Sequence, residues 1–431
     1  MSKPFRIAVA GLGTVGGGVV ALLRQNAALV AARAGRPVEI KAVSAKNRKK
    51  DRGIDLSGFE WVDDPLSLCG RSDIDAVVEL IGGENGAAYD LVVGALKAGK
   101  HVITANKALL ARHGMALAGL AEENNLSLAC EAAVAGGIPI IKTLREGLAG
   151  NNVLSLYGIL NGTCNYILTE MRQTGREFAD VLKEAQAKGY AESDPSFDVD
   201  GIDAGHKLSL LVAMAYGVAP DMTSLPMTGI RAITAQDIIF AGDLGFRIKL
   251  LGRAQMHHGK LTQSVEPCLV PAGSPLGGVE GVYNAIFYGT DFAGAGMVSG
   301  RGAGAGPTAS AVVADVIDLA RGAAIPAFGI PASTLHRPVY AAAHEIKSRF
   351  YMHLRVRDEA GVIADVTAIM RDHKISIESL IQRGRDPGQS VSVVMVTHET
   401  SRADMDAAQM KIEKLASMTG RPLTLRIEDI E

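Results

Sequence analysis

Short apolar runs recur along the first part of the chain, at residues 6–10, 38–43, 76–81, 101–104 and 126–129. Longer stretches with a helical spacing of apolar positions separate them. Runs of this length without alternation read as strands buried on both faces. Strands alternating with helices predict an α/β fold whose first unit is a Rossmann-type, doubly wound parallel sheet. After about Gly137 the pattern changes: residues 139–147 read as a helix, and residues 153–159 and 248–256 as strands of a different sheet. Residues 290–308 are rich in glycine and lead into a helical run, 309–321, that returns to the first unit. Pro326, Pro331 and Pro338 then mark a linker.

From Arg349 a third unit is legible: strand 350–356, a glycine turn at Gly361, helix 362–372, strands 375–383 and 390–397, helix 402–417 and strand 423–427. That order is βαββαβ, a ferredoxin-like arrangement. The expected organisation is therefore a first, doubly wound domain over 1–137, completed by 305–335. A second, α+β domain follows over 138–304, and a small domain over 349–428. A chain of 431 residues with 48% apolar content has enough material for several cores.

Charge and cysteine usage narrow the function. Lysine and arginine number 44 against 46 acids, which gives no basic field for nucleic acid or a membrane surface. Small molecules are the expected ligands. Cys69, Cys130, Cys164 and Cys268 have neither zinc nor disulfide spacing. They point to a reducing, cytoplasmic setting. The first residues lack a signal-peptide pattern, and no run approaches the ~20 apolar residues of a membrane span.

Two segments carry chemistry. Gly11-Leu12-Gly13-Thr14-Val15-Gly16 lies between a strand and a helix. There glycines permit a tight turn and let backbone N–H groups meet a pyrophosphate at a helix N-terminus. The second strand ends without the acid that binds a ribose 2′-hydroxyl and runs instead into Lys46, Asn47, Arg48 and Lys49. Basic residues at that place suit a 2′-phosphate, hence NADP over NAD, although such a run also occurs as plain solvated surface.

The other segment, GYAESDPSFDVDGIDAGHKL over residues 189–208, is an acidic loop leading into an apolar helix. Asp203 and Lys207, four apart on a helix starting near Gly201, share a face that His206 does not. A positioned ammonium can stabilise the charge that hydride transfer builds on an aldehyde oxygen and supply its proton. The same pair also occurs as an ordinary surface salt bridge.

The 189–208 segment resembles the signature of the homoserine dehydrogenases. TANKALLA, EAAVAGGIPII, NGTCNYIL and SGRGAGAGPTASAVVADVIDLA resemble further blocks of that family in its usual order, over about residues 6–321. The resemblance implies reversible reduction of L-aspartate 4-semialdehyde to L-homoserine. It implies Lys207 as proton carrier, with Asp203 and Lys107 beside it. Glu192 and Asp198 would hold the substrate ammonium, and Gly162 and Thr163 would line the same pocket. Thr104, Lys107 and Gly302 would meet the cofactor. Glu131, with the carbonyls of Val134, Gly136 and Ile138, would surround a monovalent cation, expected to be sodium. Cys164 invites comparison with dehydrogenases that use a cysteine nucleophile, but no histidine in a suitable context accompanies it.

The βαββαβ unit, with Arg357-Asp358-Glu359-Ala360-Gly361-Val362 at its first turn, resembles an ACT domain. The resemblance implies feedback by L-threonine and a homodimer or homotetramer. A ferredoxin-like unit used only for subunit contact is the plainer reading. Other functions compatible with these motifs are a catalytically silent NAD(P) and amino-acid sensor, or another semialdehyde reductase.

Overall fold

A computed structural model of the chain describes residues 3–382 and 389–430. The first sheet holds β1 (Phe5–Ala10), β2 (Val38–Ser44), β3 (Glu60–Val62), β4 (Ala76–Glu79), β5 (His101–Thr104) and β6 (Leu128–Ala129), in the order β3-β2-β1-β4-β5-β6. Every pairing is parallel. The apolar runs are strands because helices cover both faces, and Ile7, Val9, Val77, Val78 and Ile103 are fully buried. Strand order reverses between β1 and β4. Ligands of doubly wound sheets bind outside the carboxyl ends of strands at such a reversal. The Ala305–Arg321 helix returns to this sheet, and its Ala309, Val312 and Val316 share a core with Ile7 and Val19.

Among the described residues, the second sheet contains ten strands. β7 (Val153–Ile159), β8 (Phe246–His257), β9 (Lys260–Pro271), β10 (Tyr283–Thr290) and β11 (Ala295–Arg301) are antiparallel neighbours in the order β11-β10-β7-β8-β9. The C-terminal unit supplies β12 (Lys347–Arg357), β13 (Ile377–Gln382), β14 (Ser390–Thr397), β15 (Thr400–Ser401) and β16 (Leu423–Ile427). Its helices are Val362–Asp372 and Arg402–Ile412. The second helix stops five residues before the expected 417, and the expected end of β13 at Arg383 lies outside the described residues.

The C-terminal unit does not stand apart. β16 pairs in parallel with β9, setting Arg426 against Cys268 and Ile427 against Leu269, so one sheet runs through both domains. Buried charges close the seam. Arg253 on β8 is 2.7 Å from Glu428, and Glu266 on β9 meets Arg402 at 3.0 Å and Arg426 at 3.3 Å. Burial works against the Glu266 carboxylate, but the arginines around it hold its pKa below the usual value. His353 on β12 meets Asp237 at 2.6 Å and Ser392 at 3.0 Å. Asp237 also completes the capping box of the Ala235–Asp243 helix, so the domains meet at a helix terminus.

Candidate active site

A cleft of about 680 Å³ opens between the two sheets. One wall comes from the first domain: Val15, Ala105, Lys107 and the 132–136 turn. The other comes from the Gly162–Thr174 helix, the 189–192 loop and the Ile202–Tyr216 helix. Asn161 starts the Gly162–Thr174 helix by accepting the Cys164 N–H at 2.8 Å. The Ile202–Tyr216 helix begins at Gly201 and ends at Gly217, both in the left-handed region. This places Asp203 and Lys207 one turn apart on the face toward the cleft.

The geometry centres on Asp203. Its carboxylate accepts from Lys207 Nζ at 2.7 Å and from the Asn161 amide at 2.9 Å, and Lys107 Nζ lies 3.0 Å from its other oxygen. Lys107 arrives from the opposite wall, as the first residue of the Lys107–Glu123 helix. Lys207 also donates to the Leu160 carbonyl at 2.7 Å. An ammonium has three donors, so one remains for a ligand in the cleft. Burial disfavours the Asp203 charge, yet the Lys207 and Lys107 ammoniums outweigh it and hold the pKa far below the usual carboxylate range. Asp198 is pushed upward, first by burial and then by Asp203, while the Asn161 amide at 2.8 Å draws it down.

Most of the residues singled out in the sequence meet here. Lys107, Gly136, Gly162, Thr163, Glu192, Asp198, Asp203, Lys207, Gly302 and Val15 all line this one cleft. The Thr163 hydroxyl donates to the Tyr190 carbonyl at 2.8 Å. Gly302 is packed against Asn284, whose side chain occupies the space a Cβ would take. Leu12, Gly13 and Thr14 line a neighbouring pocket of about 430 Å³ with Lys50 and Arg52. Gly11 and Gly16 lie behind it. A Cβ at Gly11 would strike the Leu80 carbonyl and one at Gly16 the Gly11 carbonyl, while a Cβ at Gly13 would meet open space. Two glycines thus pack the turn and the third leaves its backbone open, as a pyrophosphate requires.

Some residues expected at the cofactor or the chemistry lie elsewhere. Lys46 and Arg48 are exposed and line neither pocket. The basic residue beside the glycine loop is Arg52, which donates to the Leu12 carbonyl at 3.0 Å. Thr104 is buried, with its hydroxyl turned to Glu79. His206 stands aside from the carboxylate and packs edge-on against Phe197. Burial pushes the Cys164 thiol well above its usual range, and it donates to the Asp198 carbonyl at 3.2 Å. A thiol held protonated is a poor nucleophile.

The 131–138 segment contributes to the first-domain wall of the cleft. Glu131 is buried and accepts the N–H groups of Ile141 at 3.1 Å and Lys142 at 2.8 Å. Ala135 and Gly136 are both left-handed and turn the chain back on itself. Burial, reinforced by Asp315, pushes Glu131 up to about 7. The donors this segment offers, the Glu131 carboxylate and backbone carbonyls, are of the type that suits a hard monovalent cation, and one of those carbonyls, of Ile138, already accepts the Ile140 N–H at 2.8 Å.

Two residues important to this geometry carry no sequence signal of their own: Leu160, which acts through its carbonyl, and Arg52. Asn161 lies in the NGTCNYIL block and is legible as a helix cap, but its bonds to Asp198 and to Asp203, 42 residues away, are not.

A glycine-rich turn at the strand reversal of a parallel sheet, beside a cleft holding a lysine–aspartate–lysine array, defines a dinucleotide-dependent oxidoreductase. Family models agree in detail. Residues 11–131 match the homoserine dehydrogenase NAD-binding domain, 139–317 match homoserine dehydrogenase, and 354–417 match the ACT domain. Homoserine dehydrogenase of Neisseria gonorrhoeae is 43% identical, with 99% of each chain covered. That of Pseudomonas aeruginosa is 40% identical over 99% of this chain and 100% of its own. The crystal structure of a homoserine dehydrogenase from Thiobacillus denitrificans superposes with a TM-score of 0.92 at 41% identity and 99% coverage of both chains. A hyperthermophilic archaeal homoserine dehydrogenase in complex with NADPH has a TM-score of 0.62 at 28% identity, covering 73% of this chain and 97% of its own. The chain belongs to the homoserine dehydrogenase family.

Proposed function

We propose that the cleft interconverts L-aspartate 4-semialdehyde and L-homoserine, with Lys207 moving the proton. The observation that carries this reading is the buried array in which Asp203 binds Lys207 and Lys107 at once. The nicotinamide cofactor supplies or accepts the hydride. In the direction of reduction, the aldehyde oxygen gains negative charge as its carbon accepts the hydride, and the free Nζ–H of Lys207 supplies the proton. Asp203 keeps Lys207 oriented, and Lys107 adds a second positive charge to the site. Glu192 and Asp198 would hold the substrate ammonium, with Gly162 and Thr163 lining the same pocket. Val15, Gly302 and the backbone at Lys107 would border the nicotinamide half of the cofactor.

NADP is the preferred nucleotide in this reading, because the glycine loop is bordered by Lys50 and Arg52, which share the loop after β2 with Lys46 and Arg48, and no carboxylate stands at the end of β2. Sodium occupies the 131–138 turn. L-Threonine binds the ACT domain and lowers turnover, and the enzyme works as a homodimer or homotetramer in the cytoplasm. The test is homoserine-dependent reduction of NADP and of NAD, with and without threonine. Higher kcat/KM with NADP and inhibition by threonine are expected. Equal use of NAD would remove the nucleotide assignment, and indifference to threonine would remove the effector.

A further inference from the structure

A carboxylate that the proposed chemistry does not use lies at the exit of β4. Glu79 is fully buried. One oxygen accepts the Thr104 hydroxyl at 2.6 Å, and the other accepts the N–H groups of Ile81 at 2.8 Å and Gly82 at 3.1 Å. Among the described residues it forms no ion pair with lysine, arginine or histidine. Burying a carboxylate without a counter-charge is costly, and three aligned donors are what make it tolerable here.

The two oxygens serve two different segments of the first domain's wall. On one side, the loop after β4 lies against the glycine fingerprint. Leu80 N–H donates to the Ala10 carbonyl at 2.7 Å, and the Leu80 carbonyl fills the space beside Gly11. On the other side, the Thr104 hydroxyl that donates to Glu79 accepts the Asn106 N–H at 3.0 Å. Asn106 caps the next helix by accepting the Leu109 N–H at 3.1 Å, and its amide donates to the Gly83 carbonyl at 2.6 Å. Lys107 is the first residue of that helix, and its ammonium crosses the cleft to Asp203.

We infer that Glu79 is a positioning residue that sets the Lys107 ammonium and the cofactor loop in one fixed relation, acting through Thr104 and Asn106 on one side and Ile81 and Gly82 on the other. The inference rests on the reading that places Lys107 at the reaction centre. A residue that served only to fill the core would affect stability and leave the kinetic constants of the folded enzyme alone. Glu79 bonds directly to both segments, whereas Thr104 bonds directly only to the Lys107 side and reaches the loop after β4 through Asn106 alone.

The test compares Glu79→Gln, Thr104→Val, their double variant and Lys107→Ala. It reads melting temperature, kcat and KM for homoserine, and NADPH affinity by fluorescence titration without substrate. Thr104→Val is expected to lower kcat about tenfold, with NADPH affinity within about twofold of the parent. Glu79→Gln is expected to lower kcat up to about a hundredfold and to weaken NADPH binding as well. The double variant should fall no further than Glu79→Gln within about threefold, because both changes cut one relay. The inference is overturned if folded Glu79→Gln or Thr104→Val keeps parental kcat while Lys107→Ala loses it, or if the two losses multiply. Should Lys107→Ala itself keep full turnover, the reaction-centre reading fails and this inference falls with it.

Discussion

Asp203 keeps its charge inside the protein because an ammonium faces each of its oxygens. Glu131 lies in the opposite situation. Its donors are two backbone N–H groups, with Asp315 adding a like charge, and its pKa rises from 4.5 to about 7. Between those values the folded chain retains a proton that the unfolded chain releases. Glu131 therefore contributes stability that is full below about pH 4.5 and is lost as pH rises through 7. The loss is on the order of 3 kcal/mol. A cation bound by the ionised carboxylate would offset it. Melting temperatures at pH 5.5 and 8, in tetramethylammonium and in sodium, are expected to show a fall at pH 8 that sodium reduces and Glu131→Gln abolishes. No sodium effect at pH 8 would contradict the cation site.

At the scale of elements, the glycine turn separates two roles within one motif. Gly16→Ala places a methyl on the Gly11 carbonyl and Gly13→Ala places one in open space. The first is expected to lower the melting temperature and weaken NADPH binding together. The second should leave the melting temperature within a degree or two, since it strains nothing, and weaken NADPH binding at least about tenfold by blocking the close approach of the pyrophosphate. Equal NADPH affinity in Gly13→Ala and parent would place the nucleotide elsewhere. The strands β1, β2, β4 and β5 were legible because burial on both faces leaves unbroken apolar runs. The edge strand β11 was not, since its residues alternate between exposed and half-buried and include Gly296 and Gly300. The Gly162–Thr174 helix was also hidden, because its buried face includes Asn165, Tyr166 and Thr169. Of the site, Asp203 and Lys207 could be paired by spacing alone. Lys107 is brought to them by tertiary packing and came only through resemblance.

For the whole molecule, the continuous sheet means that the ACT domain and the catalytic domain share a seam rather than a tether. β16 and β9 are ordinary strands in sequence, and nothing in either marks the other as its partner. Arg253 in that seam is 4% exposed and depends on Glu428, three residues from the chain end. Removing one partner of a buried pair typically costs about 3–5 kcal/mol. Glu428→Gln is thus expected to destabilise the catalytic domain by about 3 kcal/mol in chemical denaturation, although the substitution lies in the C-terminal unit. A variant as stable as the parent would show that the seam does not hold the domains together.

The proposed reaction gives Lys207, held by Asp203 and the Leu160 carbonyl, the role of proton carrier. The direct measurement is the kcat of homoserine-dependent NADP reduction for the parent and for Lys207→Ala, with melting temperature and NADPH affinity read on the same samples. The expected result is a fall in kcat of about 100-fold or more with folding and NADPH affinity retained. A folded Lys207→Ala that turns over at the parent's rate would contradict it.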